Sequence, residues 1–173
     1  MTRETLLIAA LIYAAGCASS PPSTEHATLD GLAYEVPAGW QSQDLSDRRA
    51  RVVVWSPASN PRKESVTVIR TKPLPALAKA GDPRISQLLE QAQRGLPRAQ
   101  FGMPIRFTTK HGFVGVRVHG ELVPALAGEH PYRRIHAVLV DAATSSLVHV
   151  LYTGIIADDA AFETVIDHLR REA

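Results

Sequence analysis

Apolar and polar positions along the chain fall into short alternating runs broken by Pro and Gly, with two longer stretches of helical spacing. Leu32-Ala33-Tyr34-Glu35-Val36 is a first strand, stopped by Pro37-Ala38-Gly39 ahead of Trp40. Arg51-Val52-Val53-Val54-Trp55-Ser56 and Ser65-Val66-Thr67-Val68-Ile69-Arg70-Thr71 are rich in β-branched residues and read as two more, the second ended by Pro73 and Pro75. Asp82 as N-cap and Pro83 as first residue then open a helix, whose stripe is Ile85, Leu88, Leu89, Ala92 and Leu96 and whose stop is Gly95 and Pro97. Residues 105–110 and 113–122 form a hairpin through His111-Gly112. In its second strand Val114, Val116, Val118 and Leu122 share one face and Arg117, His119 and Glu121 the other, so one face is expected buried and one wet. Strands over 132–140 and 147–154 follow, joined by a turn through 141–146. A last helix opens at Asp158-Asp159 and carries the stripe Phe162, Val165, Ile166 and Leu169, with Arg170 and Arg171 at its C-terminal end.

The order is βββ-α-ββββ-α. It predicts an α+β domain over residues 29–173, a mostly antiparallel sheet of about seven strands packed with two helices. No internal repeat and no second domain is evident.

The first 28 residues stand outside this pattern. Arg3 precedes the apolar run Leu6 to Ile12, and Ala14-Ala15-Gly16 leads directly into Cys17, the chain's one cysteine. A charged start, about ten apolar residues and a small-residue cleavage site read as an export signal over residues 1–16. The run falls short of the ~20 residues a membrane-spanning helix needs. Small residues ending in Cys resemble the lipobox of bacterial lipoproteins, although Ala14 stands where a branched aliphatic is usual. That resemblance implies acylation of Cys17, with residues 17–28 as a flexible tether whose Ala18-Ser19-Ser20-Pro21-Pro22-Ser23-Thr24 cannot bury enough apolar surface to fold. Ala18 in place of Asp favours the periplasmic face of the outer membrane over the inner membrane.

Charge excludes little more. Nineteen Lys and Arg against seventeen Asp and Glu give +2, too weak a bias for nucleic acid or for electrostatic docking on a membrane. With Cys17 acylated no thiol remains, which excludes a disulfide scaffold, a thiol nucleophile and a cysteine metal site.

Tyr34-Glu35-Val36-Pro37-Ala38-Gly39-Trp40 resembles the strand and Pro-x-Gly-Trp opening of PsbP-like domains. The central helix, the hairpin around Gly112, the Tyr132-Arg133-Arg134 strand and the Leu151-Tyr152-Thr153 strand before a C-terminal helix resemble the same layout, over residues 29 to 171. The resemblance implies the PsbP fold and a non-enzymatic binding or assembly role. It transfers no catalytic or metal-binding residue.

Candidate chemistry is sparse. His119, His136 and His149 lie on strands of one sheet, and imidazoles meeting across a sheet suit zinc or copper. They lack helical metal spacing, though, and alternation sets His119 with Arg117 and Glu121. Ser56 and Ser59 lie in a strand-exit loop without the nucleophile elbow, Asp158-Asp159 is explained by helix capping, and Gly112-Phe113-Val114-Gly115 lacks a P-loop lysine. Trp55, Arg62, Lys63, Arg133 and Arg134 combine arginine or lysine with an aromatic, the pairing that dominates many interfaces. The expected protein is therefore a non-catalytic envelope lipoprotein without cofactor that binds a protein or envelope polymer. The alternative is a small-ligand or metal carrier with a pocket between sheet and helix.

Overall fold

Two-residue turns and β-branched runs set most of the described residues into antiparallel sheet. The computed structural model describes residues 23–61, 64–74, 87, 99–122, 131–155 and 159–172. The export signal, Cys17, Arg62 and Lys63 therefore lie outside the described residues, as does the predicted helix over 82–96 apart from Gln87, which is helical.

The smaller of the two sheets has three strands. β1 (Thr24–Leu29) turns back into β2 (Leu32–Pro37) with Leu29 opposite Leu32. The two residues between them, Asp30 at φ 51° and Gly31 at φ 79°, both take the left-handed backbone of a tight hairpin turn, which Asp-Gly favours. The short β11 (Arg170–Arg171) pairs with the other edge of β2. The second, eight-stranded sheet contains β3 (Trp40–Asp44), β4 (Ala50–Pro57), β5 (Glu64–Thr71), β6 (Ala99–Phe101), β7 (Ile105–Thr108), β8 (Val114–Leu122), β9 (Tyr132–Asp141) and β10 (Ser146–Gly154). Its order is β3-β4-β5-β10-β9-β8-β6, with β7 also on β8, and the pairings described are antiparallel.

The small sheet and helix α1 (Ala160–His168) cover one face of the large sheet. Tyr34, Val36, Val66, Val68, Ile135, Val150, Tyr152, Phe162 and Val165 are fully buried there. Each such aliphatic or aromatic side chain contributes about 1.5–3 kcal/mol. Val116, Val118, Val138, Val140 and Leu147 form a second buried cluster on the other face, with Phe101 against it.

The structure corrects the expected pattern in four places. The tether stops short of residue 28, because Ala27 and Leu29 alternate inward and make Thr24–Leu29 a strand. Eleven strands in two sheets among the described residues replace about seven in one. Arg170 and Arg171 belong to β11, the helix ending at His168. The Arg117, His119 and Glu121 side of β8 is turned toward α1, with Arg117 and His119 half-buried and Glu121 exposed, while both faces of the large sheet carry buried clusters. No helix of the described residues is long and apolar enough to cross a membrane.

Candidate functional site

Strand alternation places Arg117, His119 and Glu121 of β8 on the side facing α1, and Arg133 of β9 stands directly opposite Glu121. The N-terminal turn of α1 brings two carboxylates to them. Arg117 Nη1 donates to Glu163 Oε1 at 2.9 Å, and Arg133 Nη2 donates to Asp159 Oδ2 at 2.7 Å. Asp159 occupies the N-cap position without a side-chain capping hydrogen bond, its Oδ2 being bound to Arg133 instead. The Arg117 guanidinium also lies over the Phe107 ring, 5.4 Å from its centroid. Two atoms of these pairs, Arg117 Nε and Asp159 Oδ1, are buried without a hydrogen-bond partner.

His119 sits among these charges. Burial, together with the Arg117 guanidinium, pushes its pKa below the usual histidine range, while Asp159 and Glu163 oppose the shift. Its imidazole is therefore neutral near pH 7 and offers one donor and one acceptor. Gln100, Phe101, Gly102, His119, Gly120, Glu121 and Arg133 line an adjoining open cleft of about 490 Å3. A neutral imidazole and two half-buried ion pairs beside a cleft suit recognition of a polar or charged group.

The three histidines are not brought together. His136 of β9 and His149 of β10 are diagonal neighbours on the sheet face opposite α1, and Nε2 of His136 lies 3.1 Å from Nδ1 of His149. Burial pushes their pKa values down to about 3 and about 4, with each other's charge and Arg134 adding to the effect at His136. His119 stands on the other face, so the three cannot share one ion, and no group of three or more His, Cys, Asp or Glu residues among the described residues is placed to hold a metal.

The predicted partner-binding residues among the described ones are likewise dispersed. Trp55 packs against the main core, where its Nε1–H donates to the buried Tyr34 hydroxyl at 3.1 Å. Arg134 projects from the opposite face beside Thr153, 3.5 Å from its Oγ1, and burial lowers its pKa. Among the described members of the group, Arg133 is the residue that meets His119. Sequence reasoning missed Asp159 and Glu163 as its companions because helix capping already explained the acidic turn.

It missed a second network too. Asp141, fully buried, accepts from Arg70 Nη2 at 3.0 Å, from Arg171 Nε at 2.8 Å and from the Thr144 hydroxyl at 2.7 Å. Burial works to raise its pKa, but the Thr144 hydroxyl and the two guanidiniums outweigh it and hold the carboxyl below its usual range.

No family model matches the chain, and no curated protein matches it. Solved structures match across nearly its whole length. It is similar to cyanobacterial PsbP (CyanoP) from Synechocystis, with TM-score 0.58 and 17% identity over 89% of this chain and 95% of that one. The Ran-binding protein Mog1p of Saccharomyces cerevisiae aligns with TM-score 0.54 and 10% identity, over 84% of this chain and 86% of its own. LpqN of Mycobacterium tuberculosis, a protein involved in cell envelope biogenesis, aligns with TM-score 0.52 and 14% identity, over 90% and 88%. At these identities the likeness is one of fold, and the chain has the PsbP-like fold.

Proposed function

We propose that this PsbP-like chain is a lipid-anchored accessory protein of the bacterial envelope, binding a protein or envelope polymer and catalysing no reaction. The observation that carries the reading is the pairing of a lipobox-like start with a fold also found in LpqN, a protein of envelope biogenesis, and in Mog1p, a Ran-binding protein. On this reading Cys17 carries the acyl chains, each buried methylene adding about 0.8 kcal/mol of anchoring. The domain is then held at the periplasmic face, of the outer membrane in a two-membrane host. The cleft beside His119 is the surface offered to the partner. Its arginines are already committed to Asp159 and Glu163, an arrangement that supports fixed recognition better than proton transfer.

A photo-crosslinking residue at the exposed Glu121 tests this in cells producing the full chain. The expected result is one discrete envelope adduct that weakens when His119→Ala is added. Adducts no stronger than those from the exposed Leu45, beyond β3 at the opposite edge of the large sheet, overturn the proposal. So does native mass spectrometry showing a stoichiometric small molecule or metal, which establishes the carrier reading.

A further inference from the structure

At the far end of the large sheet, β4 and β5 place like charges side by side. Arg51 and Arg70 are direct cross-strand partners, an arrangement that destabilises a ladder unless an anion offsets it. Two pairs further along, past Ala50 and Thr71, the Lys72 N–H donates to the Arg49 carbonyl, so a second pair of cations follows the first. Arg51, Arg70 and Lys72 line a cleft of about 430 Å3, together with Thr144 of the β9–β10 turn and Ser146 at the start of β10.

Arg70 is fixed before any ligand arrives. Its side chain is nearly buried, with Nη2 held by Asp141 and Thr144 and Nε 3.4 Å from Ser146 Oγ. Nη1 points at Gly31, where a Cβ would stand 3.4 Å away. The carboxylates facing this region are accounted for. Asp141 is shared between Arg70 and Arg171, Asp44 accepts from the Ser46 N–H while attracting Arg51, and Asp47 accepts the Arg49 and Ala50 N–H groups while attracting Lys72. Asp30, on the β1–β2 turn, is the remaining acid of the lining. Three cations, with the carboxylates of Asp30 and Asp47, thus line a space large enough for a small ligand, while the Thr144 and Ser146 hydroxyls are bonded to each other and Thr144 to Asp141.

We infer that this cleft binds an oxyanion, the phosphate or carboxylate group of a small solute or of a lipid headgroup. A planar guanidinium locked in place, flanked by an exposed ammonium and a second guanidinium, matches the geometry of such a group. This inference is independent of the reading of the His119 cleft.

The test is an amide-resolved NMR titration of the full chain with inorganic phosphate at constant ionic strength, with chloride as control. Saturable shifts are expected at Arg51, Lys72, Thr144 and Ser146. The double variant Arg51→Gln, Lys72→Gln changes two exposed side chains and is expected to keep the fold and to weaken binding at least tenfold. A parallel arm measures binding to phosphatidylglycerol vesicles against phosphatidylcholine vesicles. Shifts with phosphate assign a free solute, and binding confined to the anionic vesicles and lost in the double variant assigns a headgroup. No saturable response in either arm, equal shifts with chloride, or unchanged affinity in the double variant overturns the inference.

Discussion

Replacing Asp141 by alanine removes the one carboxylate that balances the Arg70 guanidinium inside the fold. Asp141 is 0% exposed and Arg70 8% exposed, so the cation left behind cannot turn to water. Breaking a buried pair by deleting one partner costs about 3–5 kcal/mol. Small domains are stable by only about 5–15 kcal/mol, so the loss is a large share of the total. At about 2–4 °C per kcal/mol for a domain of this size, Tm is expected to fall by roughly 6–20 °C. Arg171 reaches the same carboxylate from β11 with a side chain 46% exposed, and Arg171→Ala is expected to cost only about 1 kcal/mol. The double variant Arg70→Met, Asp141→Leu removes both charges and should recover most of the stability lost by Asp141→Ala. Urea and thermal unfolding of the four proteins measure this. A loss below about 1 kcal/mol for Asp141→Ala, or a double variant no more stable than the single one, would refute the reasoning. The pH dependence has a definite sign: because the folded carboxyl lies below its unfolded value of about 3.9, its contribution is complete above that pH and disappears as pH falls through the folded value. Asp141→Ala should therefore flatten the acid limb of the stability curve below about pH 4.

His136 and His149 give a second acid-sensitive contribution with the same sign. Their folded values of about 3 and about 4 lie below the unfolded value of about 6.5, so stability declines as pH drops from about 6.5 toward 4. Urea unfolding of His136→Leu and of the parent across that range checks this, the variant showing the shallower slope. Gly115→Ala would put a Cβ 2.3 Å from the Val138 carbonyl oxygen, and spreading β8 from β9 should cost about 1–3 kcal/mol by equilibrium unfolding. Trp55→Phe leaves the buried Tyr34 hydroxyl without its indole donor and should destabilise by about 1–3 kcal/mol, read from a chemical denaturation midpoint.

Local chemistry explains which parts of this fold are legible in the sequence. The β-branched runs of β4, β5 and β8 announce themselves, and so does the Pro37-Ala38-Gly39-Trp40 turn into β3. Leu29-Asp30-Gly31-Leu32 carries an equally clear hairpin signal, and reading it would have placed β1 within the supposed tether. β3 itself, Trp40-Gln41-Ser42-Gln43-Asp44, is a largely exposed edge strand whose polar residues carry no alternation to detect. The misread face of β8 has a different cause. Arg117 is made tolerable inside the fold by Glu163, 46 residues away, and no local pattern encodes that pairing. Arg70, Asp141 and Arg171 meet in the same way, from three elements far apart in the chain. Charged residues on a strand read as solvent-facing until the helix that neutralises them is in place.

Acylation of the exported chain tests the proposed role most directly. Cells producing the full chain and its Cys17→Ser variant are grown with radiolabelled palmitate and fractionated. The account predicts label on the parent protein, recovered with envelope membranes, and none on the variant. An unlabelled parent protein found in the cytosol contradicts it.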